Sequence, residues 1–144
     1  FVFIFFGLVA VGGSYYLQTL TLTPMALIAG TLVGIHAAAV ITVNNYRDLD
    51  GDAKNGKNTL AVHLGRPAMR RLYTLQLLTP YALLPLLANL GWHALLPLLS
   101  LPLALKLIQR FHREAPGPVF NSILAASAGL QLAFAILLSL AFAI

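Results

Sequence analysis

Asn44-Asn45-Tyr46-Arg47-Asp48-Leu49-Asp50-Gly51-Asp52-Ala53-Lys54-Asn55-Gly56-Lys57-Asn58-Thr59 is where the first charged side chain of this sequence appears. Three of its four acidic residues, Asp48, Asp50 and Asp52, stand here beside Arg47, Lys54 and Lys57. Residues 1–46 contain no Asp, Glu, Lys or Arg. Nor do 72–105 or 115–144, so every charge falls in two windows, 47–71 and 106–114. Charged residues make up 9% of the sequence and hydrophobic ones 59%, whereas a soluble domain carries about 25% charged residues. A soluble fold of 144 residues could not bury that much apolar surface, so lipid is the expected solvent. A membrane helix needs about 20 apolar residues, and each uncharged stretch exceeds that. The expected fold is all-α: a polytopic membrane bundle of about five transmembrane helices, forming one membrane domain over 1–144.

The breaks divide the chain. A first helix is expected over 1–18, ended by Thr19-Leu20-Thr21-Leu22-Thr23. Pro24 suits the first turn of a second helix, expected over 24–46 and open to extension into the acidic stretch. Residues 48–66 read as a polar loop, in which 59–64 form a short amphipathic turn closed by Gly65. A third helix is expected over 67–88, with Asn89-Leu90-Gly91 as the turn. A fourth runs over 92–109, and Pro116-Gly117-Pro118 precedes a fifth over 119–143. Prolines within these spans are tolerable because neighbouring helices re-satisfy the freed carbonyls.

The fourth helix has a short uncharged run before Lys106 and is open to a re-entrant reading. Positive-inside bias favours a full crossing. With five crossings both basic windows share one face, expected to be cytoplasmic. The uncharged connections then share the other face, with Tyr15, Tyr16 and Trp92 at its aromatic belt. There is no cysteine, hence no disulfide or thiolate metal site. Phe1 opens an apolar run without a basic leader, and upstream partner helices are expected.

Two metal readings of the acidic stretch compete. Asp48, Asp50 and Asp52 match positions 1, 3 and 5 of an EF-hand loop, but Ala53 stands where that loop needs Gly and Thr59 where it needs Glu. Alternatively the second helix continues. Asn44, Asp48 and Asp52, spaced i, i+4, i+8, then share one helical face, each offset by about 40°. Such oxygen ligands suit Mg²⁺ held together with substrate phosphates, and Arg47, Lys54 and Lys57 are at hand for phosphate oxygens. A solvated helix end that merely marks the cytoplasmic side stands beside this reading.

From Asn44 to Gly65 the sequence NNYRDLDGDAKNGKNTLAVHLG closely resembles the second aspartate motif of the UbiA-type intramembrane prenyltransferase superfamily. The Asn-x-x-x-Asp-x-x-x-Asp spacing is the superfamily feature. Asn44-Asn45, Gly56-Lys57-x-Thr59 and Thr59-Leu60-Ala61-Val62-x-Leu64-Gly65 are similar to the menaquinone branch, 1,4-dihydroxy-2-naphthoate polyprenyltransferase. The resemblance implies a nine-helix bundle with two aspartate motifs, of which this chain would be the C-terminal half and its residues 47–66 a cytoplasmic active-site loop. It implies that Asp48 and Asp52, with Asn44, hold Mg²⁺ on the diphosphate of a polyprenyl donor. Arg47, Lys54 and Lys57 would bind the diphosphate, the two lysines neutralising it as it departs. An aromatic acceptor would then be prenylated at the inner (plasma) membrane. The expected partners are polyprenyl diphosphate, the acceptor, the bilayer and the missing N-terminal half, with no nucleic acid. Another acceptor within the superfamily, or a non-catalytic scaffold or transporter fragment, are the competing readings.

Other polar residues receive structural readings. His36, mid-span, reads as a buried hydrogen-bonded histidine. His63, His93 and His112 read as interfacial. Asn121 and Gln131 read as interhelical hydrogen-bond partners, Gly12-Gly13-Ser14 as a close helix contact, and Asp50 as solvated or supporting.

Overall fold

The computed structural model describes residues 1–144. Five helices follow one another without a strand: α1 (Phe3–Thr19), α2 (Pro24–Lys54), α3 (Leu60–Ala82), α4 (Leu84–Arg113) and α5 (Val119–Ala143). The all-α membrane bundle expected from composition is the fold found. Three helices, α2, α4 and α5, are long and apolar enough to cross a membrane. α1 is apolar but shorter, and α3 carries Arg66, Arg70 and Arg71 in its first half.

α2 starts where the sequence places it. Thr23 caps it by accepting a hydrogen bond from the Ala26 N–H at 3.2 Å, and Pro24 occupies the first turn. Its end replaces the first part of the expected loop over 48–66 and follows the other reading, in which the helix continues into the acidic stretch. The helix runs on to Lys54, and only residues 55–59 link it to α3. The cause is local. No helix breaker precedes Asn55-Gly56 except Gly51, whose cost of about 1 kcal/mol a packed helix absorbs. Gly56 then takes a positive φ of 68°. A calcium loop over 48–59 is thereby excluded.

Thr59 caps the next helix through the Val62 N–H at 3.3 Å. Gly65 (φ 72°, ψ 167°) breaks it before Pro67, so the expected short turn closed by Gly65 is present. Regular α geometry ends at Ala82 rather than near residue 88. From Leu84 to Ser100 the backbone winds as a 3₁₀ helix, kinked at Gly91 (φ 59°, ψ −143°), and then continues as α-helix from Leu101 to Arg113.

Lipid offers no hydrophobic drive between helices, so small residues and hydrogen bonds hold them. α1 crosses α2 at Gly7, Gly30 and Gly34. A Cβ on Gly34 would stand 2.7 Å from the Phe3 carbonyl oxygen, and one on Gly7 2.5 Å from that of Gly30. Gly12 is buried and packs near side chains only, since a Cβ there would stand 3.5 Å from Leu22 and 3.9 Å from Leu27 of α2. A Cβ on Gly13 would meet nothing within 4 Å. Buried hydroxyl pairs tie the rest: Tyr73 to Ser127 at 2.7 Å and Tyr81 to Ser100 at 2.8 Å. His36 is buried against Tyr81 and Phe134. Contrary to the hydrogen-bonded reading, its Nε2 has no partner, because those neighbours present ring faces and edges.

At the charged end the core is aromatic. Phe111 packs on Tyr46 at 4.6 Å and on Tyr73 at 4.1 Å, and Phe120 stacks on Tyr46 at 5.2 Å. Four helices thus meet around the Tyr46 ring, directly behind the acidic turns of α2.

Candidate functional site

The last three turns of α2 carry Asn44, Asp48 and Asp52 along one face, because the helix continues past the apolar residues instead of ending there. Arg47 organises the first two. Its Nε and one terminal nitrogen donate to both oxygens of Asp48 at 2.7 and 2.8 Å. That terminal nitrogen also donates to Asn44 Oδ1 at 2.9 Å. The other terminal nitrogen donates to Oδ1 of Asn121, on α5, at 2.6 Å.

One turn further on, Asp52 is buried, and its carboxylate lies 3.3 Å from Lys57 Nζ. The Lys57 N–H donates to the Asp52 carbonyl at 2.9 Å, which folds the 55–59 link back over the helix end. Lys54 is exposed on the final turn and joins no ion pair. Asp50 points elsewhere. It is exposed and pairs with Arg66 at 2.8 Å.

The structure therefore brings together Asn44, Arg47 and Asp48, sets Asp52 with Lys57 beside them, and leaves Lys54 apart. It adds Arg66 and Arg70, whose role the sequence reading missed, and it bears out Asn121 as an interhelical hydrogen-bond partner. Arg66 donates to the Tyr46 carbonyl at 3.1 Å, and Arg70 to the Tyr46 hydroxyl at 2.9 Å. Both guanidinium carbons lie over the Tyr46 ring, at 4.9 and 5.8 Å. Asn121 reaches the site from α5. The signals were present, in a tyrosine inside the motif and an asparagine in the first turn of a membrane helix, but neither said which residue it would meet.

No group of three His, Cys, Asp or Glu side chains gathers into an all-protein metal cage. The available donor set is two carboxylates and one carboxamide, all hard oxygen.

Residues 1–122 match the UbiA prenyltransferase family. The chain belongs to this family. It is 40% identical over 116 residues to the 1,4-dihydroxy-2-naphthoate octaprenyltransferase of Escherichia coli (strain K12), an alignment covering 78% of this chain and 38% of that protein. With the Haemophilus influenzae protein of the same name it shares 42% over 109 residues, covering 73% and 35%. With UbiA prenyltransferase domain-containing protein 1 of Homo sapiens it shares 32% over 132 residues, covering 91% and 38%. This UbiA-family chain thus spans between 35% and 38% of the length of these relatives. Its matched region contains the whole Asn44–Asp48–Asp52 face and Asn121.

Proposed function

We propose that the protein carrying this chain transfers a polyprenyl group from polyprenyl diphosphate to 1,4-dihydroxy-2-naphthoate, a step of menaquinone biosynthesis, on the cytoplasmic side of the inner (plasma) membrane. The observation that carries the reading is the Asn44–Asp48–Asp52 face, knitted to Arg47 and Lys57 at the polar end of a long apolar helix. The names of the bacterial relatives support the donor and acceptor.

Mg²⁺ fits the residues present. Asp48 and Asp52 sit one turn apart, and each carboxylate keeps lone pairs beyond those used by Arg47 and Lys57. Mg²⁺ is held by one or two carboxylates together with substrate phosphates rather than by a closed protein cage, which suits a site with no such cage. Asn44, Asp48 and Asp52 would hold it, and when bound it would offset charge on the diphosphate.

The chain's own residues do the rest. Arg47, Lys54 and Lys57 bind the diphosphate and stabilise the negative charge that grows as the allylic C–O bond breaks. The electron pair leaves with diphosphate. A ring carbon of the acceptor forms the new C–C bond, and the ring loses its carboxylate as CO₂. The apolar helices shelter the isoprenoid tail. A second wall for the site is expected from sequence beyond residues 1–144, since the relatives are more than twice as long as the matched region.

Full-length protein in membranes, given octaprenyl diphosphate and 1,4-dihydroxy-2-naphthoate, should form prenylated product with Mg²⁺ and none with excess EDTA. Residues 1–144 alone should form none. Failure of the full-length protein with every aromatic acceptor would overturn the reading. Product only with a different acceptor would move it elsewhere in the family.

A further inference from the structure

We propose that Asn121, in the first turn of α5, is a diphosphate-binding residue; this rests on the prenyl-transfer reading above. Its Oδ1 accepts from Arg47 at 2.6 Å. A guanidinium has donors only, so the Asn121 amide must turn its oxygen toward Arg47 and its NH₂ away. Asn44 does the same from α2, its Oδ1 accepting from Arg47 at 2.9 Å. Neither NH₂ group makes a hydrogen bond within the protein. Arg47 is therefore flanked, on two different helices, by amide donors that no group of this chain engages and that stay open to water or a ligand.

The surroundings select an anion. Asn121 is exposed and lies in the opening turn of a helix of 25 residues with no acidic residue in that turn. The Phe120 and Asn121 N–H groups are already bonded to the Gly117 and Pro118 carbonyls, so what the helix start offers an anion is its dipole. A diphosphate held by Arg47 on the α2 side comes within reach of the α5 amide. α5 then contributes a direct ligand beside Arg47, Lys54 and Lys57, the proposed diphosphate ligands of α2 and the link that follows it.

Asn121→Asp separates this role from a mere tie between helices. The carboxylate still accepts from Arg47, and more strongly, so the tie survives. The donor is lost and a negative charge faces the anion. In purified full-length protein, Asn121→Asp should melt no lower than the unsubstituted protein. Its Kd for inorganic diphosphate with Mg²⁺, read by calorimetry, should rise about tenfold or more, the size of one hydrogen bond to a charged group. The KM for polyprenyl diphosphate should rise with it while that for the acceptor stays put. Asn121→Gln should recover part of the affinity. If Asn121→Asp binds diphosphate within about twofold of the unsubstituted protein, Asn121 is only a tie and the inference fails alone. If the unsubstituted protein binds no diphosphate, the inference fails together with the functional reading.

Discussion

Both oxygens of Asp48 accept from Arg47, whose remaining bonds go to Asn44 and Asn121. That arrangement fixes the carboxylate on the Asn44 face of α2 before any ligand arrives. Asp50, two residues on, lies on a different face and meets Arg66 instead. The three aspartates are therefore unequal although they alternate in sequence. In the full-length protein, Asp48→Ala and Asp52→Ala should each lower Mg²⁺-dependent prenyl transfer by about 100-fold or more, the loss typical of removing a group that stabilises transition-state charge. Asp50→Asn should retain most of the rate. The Asp48 and Asp50 pairs are partly or largely exposed, and such pairs contribute about 0–1 kcal/mol to stability. A large drop in turnover at Asp48 would thus reflect chemistry rather than unfolding, which a melting curve can check. Equal losses at all three positions, measured as initial rates, would show that the helical face is not the functional unit.

At the scale of elements, the α1–α2 crossing depends on backbone approaching backbone. Gly30 and Gly34 are one turn apart on α2 and face Gly7 of α1. A side chain on Gly34 meets the Phe3 carbonyl and the Gly7 Cα at 2.9 Å, atoms that cannot swing aside. Gly34→Val should therefore cost about 1–3 kcal/mol, as overpacking does. Gly13→Ala enters open space within a helix and should stabilise it by up to about 1 kcal/mol. Thermal unfolding in detergent should separate the two variants in opposite directions, and a matched pair of melting temperatures would refute the crossing. The contrast also shows what the sequence could carry. The starts of α5 and α2 were legible because Pro118 and Pro24 act on their own neighbours. The acidic face was legible because its three members lie within one helix at fixed spacing. The extension of α2 to Lys54 was harder to read, since charge marks solvent but does not break a helix. The packing glycines, and the choice of Arg47 as the partner of Asn121, were hidden for another reason. Each needs a partner supplied by another helix, and Gly12-Gly13 carries the same local signal as Gly30 without its backbone-to-backbone contact.

For the molecule as a whole, the question is whether its two basic windows share one side of the membrane. They share one end of the bundle: Phe111 packs on Tyr46 and Tyr73, His112 lies 2.9 Å from Thr74, and Arg47 reaches Asn121. The uncharged turns share the other end, where Tyr15, Thr23 and Leu90 line one cavity of about 720 Å³. α4 must therefore travel the length of the bundle between Gly91 and Phe111, although its short uncharged run left a re-entrant reading open. The 3₁₀ winding up to Ser100 removes the difficulty. It rises about 2.0 Å per residue against 1.5 Å for α-helix. Residues 92–111 then span roughly 34 Å, enough for a hydrocarbon core of about 30 Å. Lys106 sits about two turns inside the charged end, a depth from which a lysine extends its amine to the interface. Since the chain has no cysteine, single substitutions report their own position. Gly51→Cys and Ala115→Cys should label from the cytoplasmic side, as the basic excess dictates. Thr21→Cys and Asn89→Cys should label only from the opposite side. If positions 51 and 115 labelled from opposite faces, α4 would not cross, and the Arg47–Asn121 bond that ties the first window to the start of α5 would have to be abandoned with it.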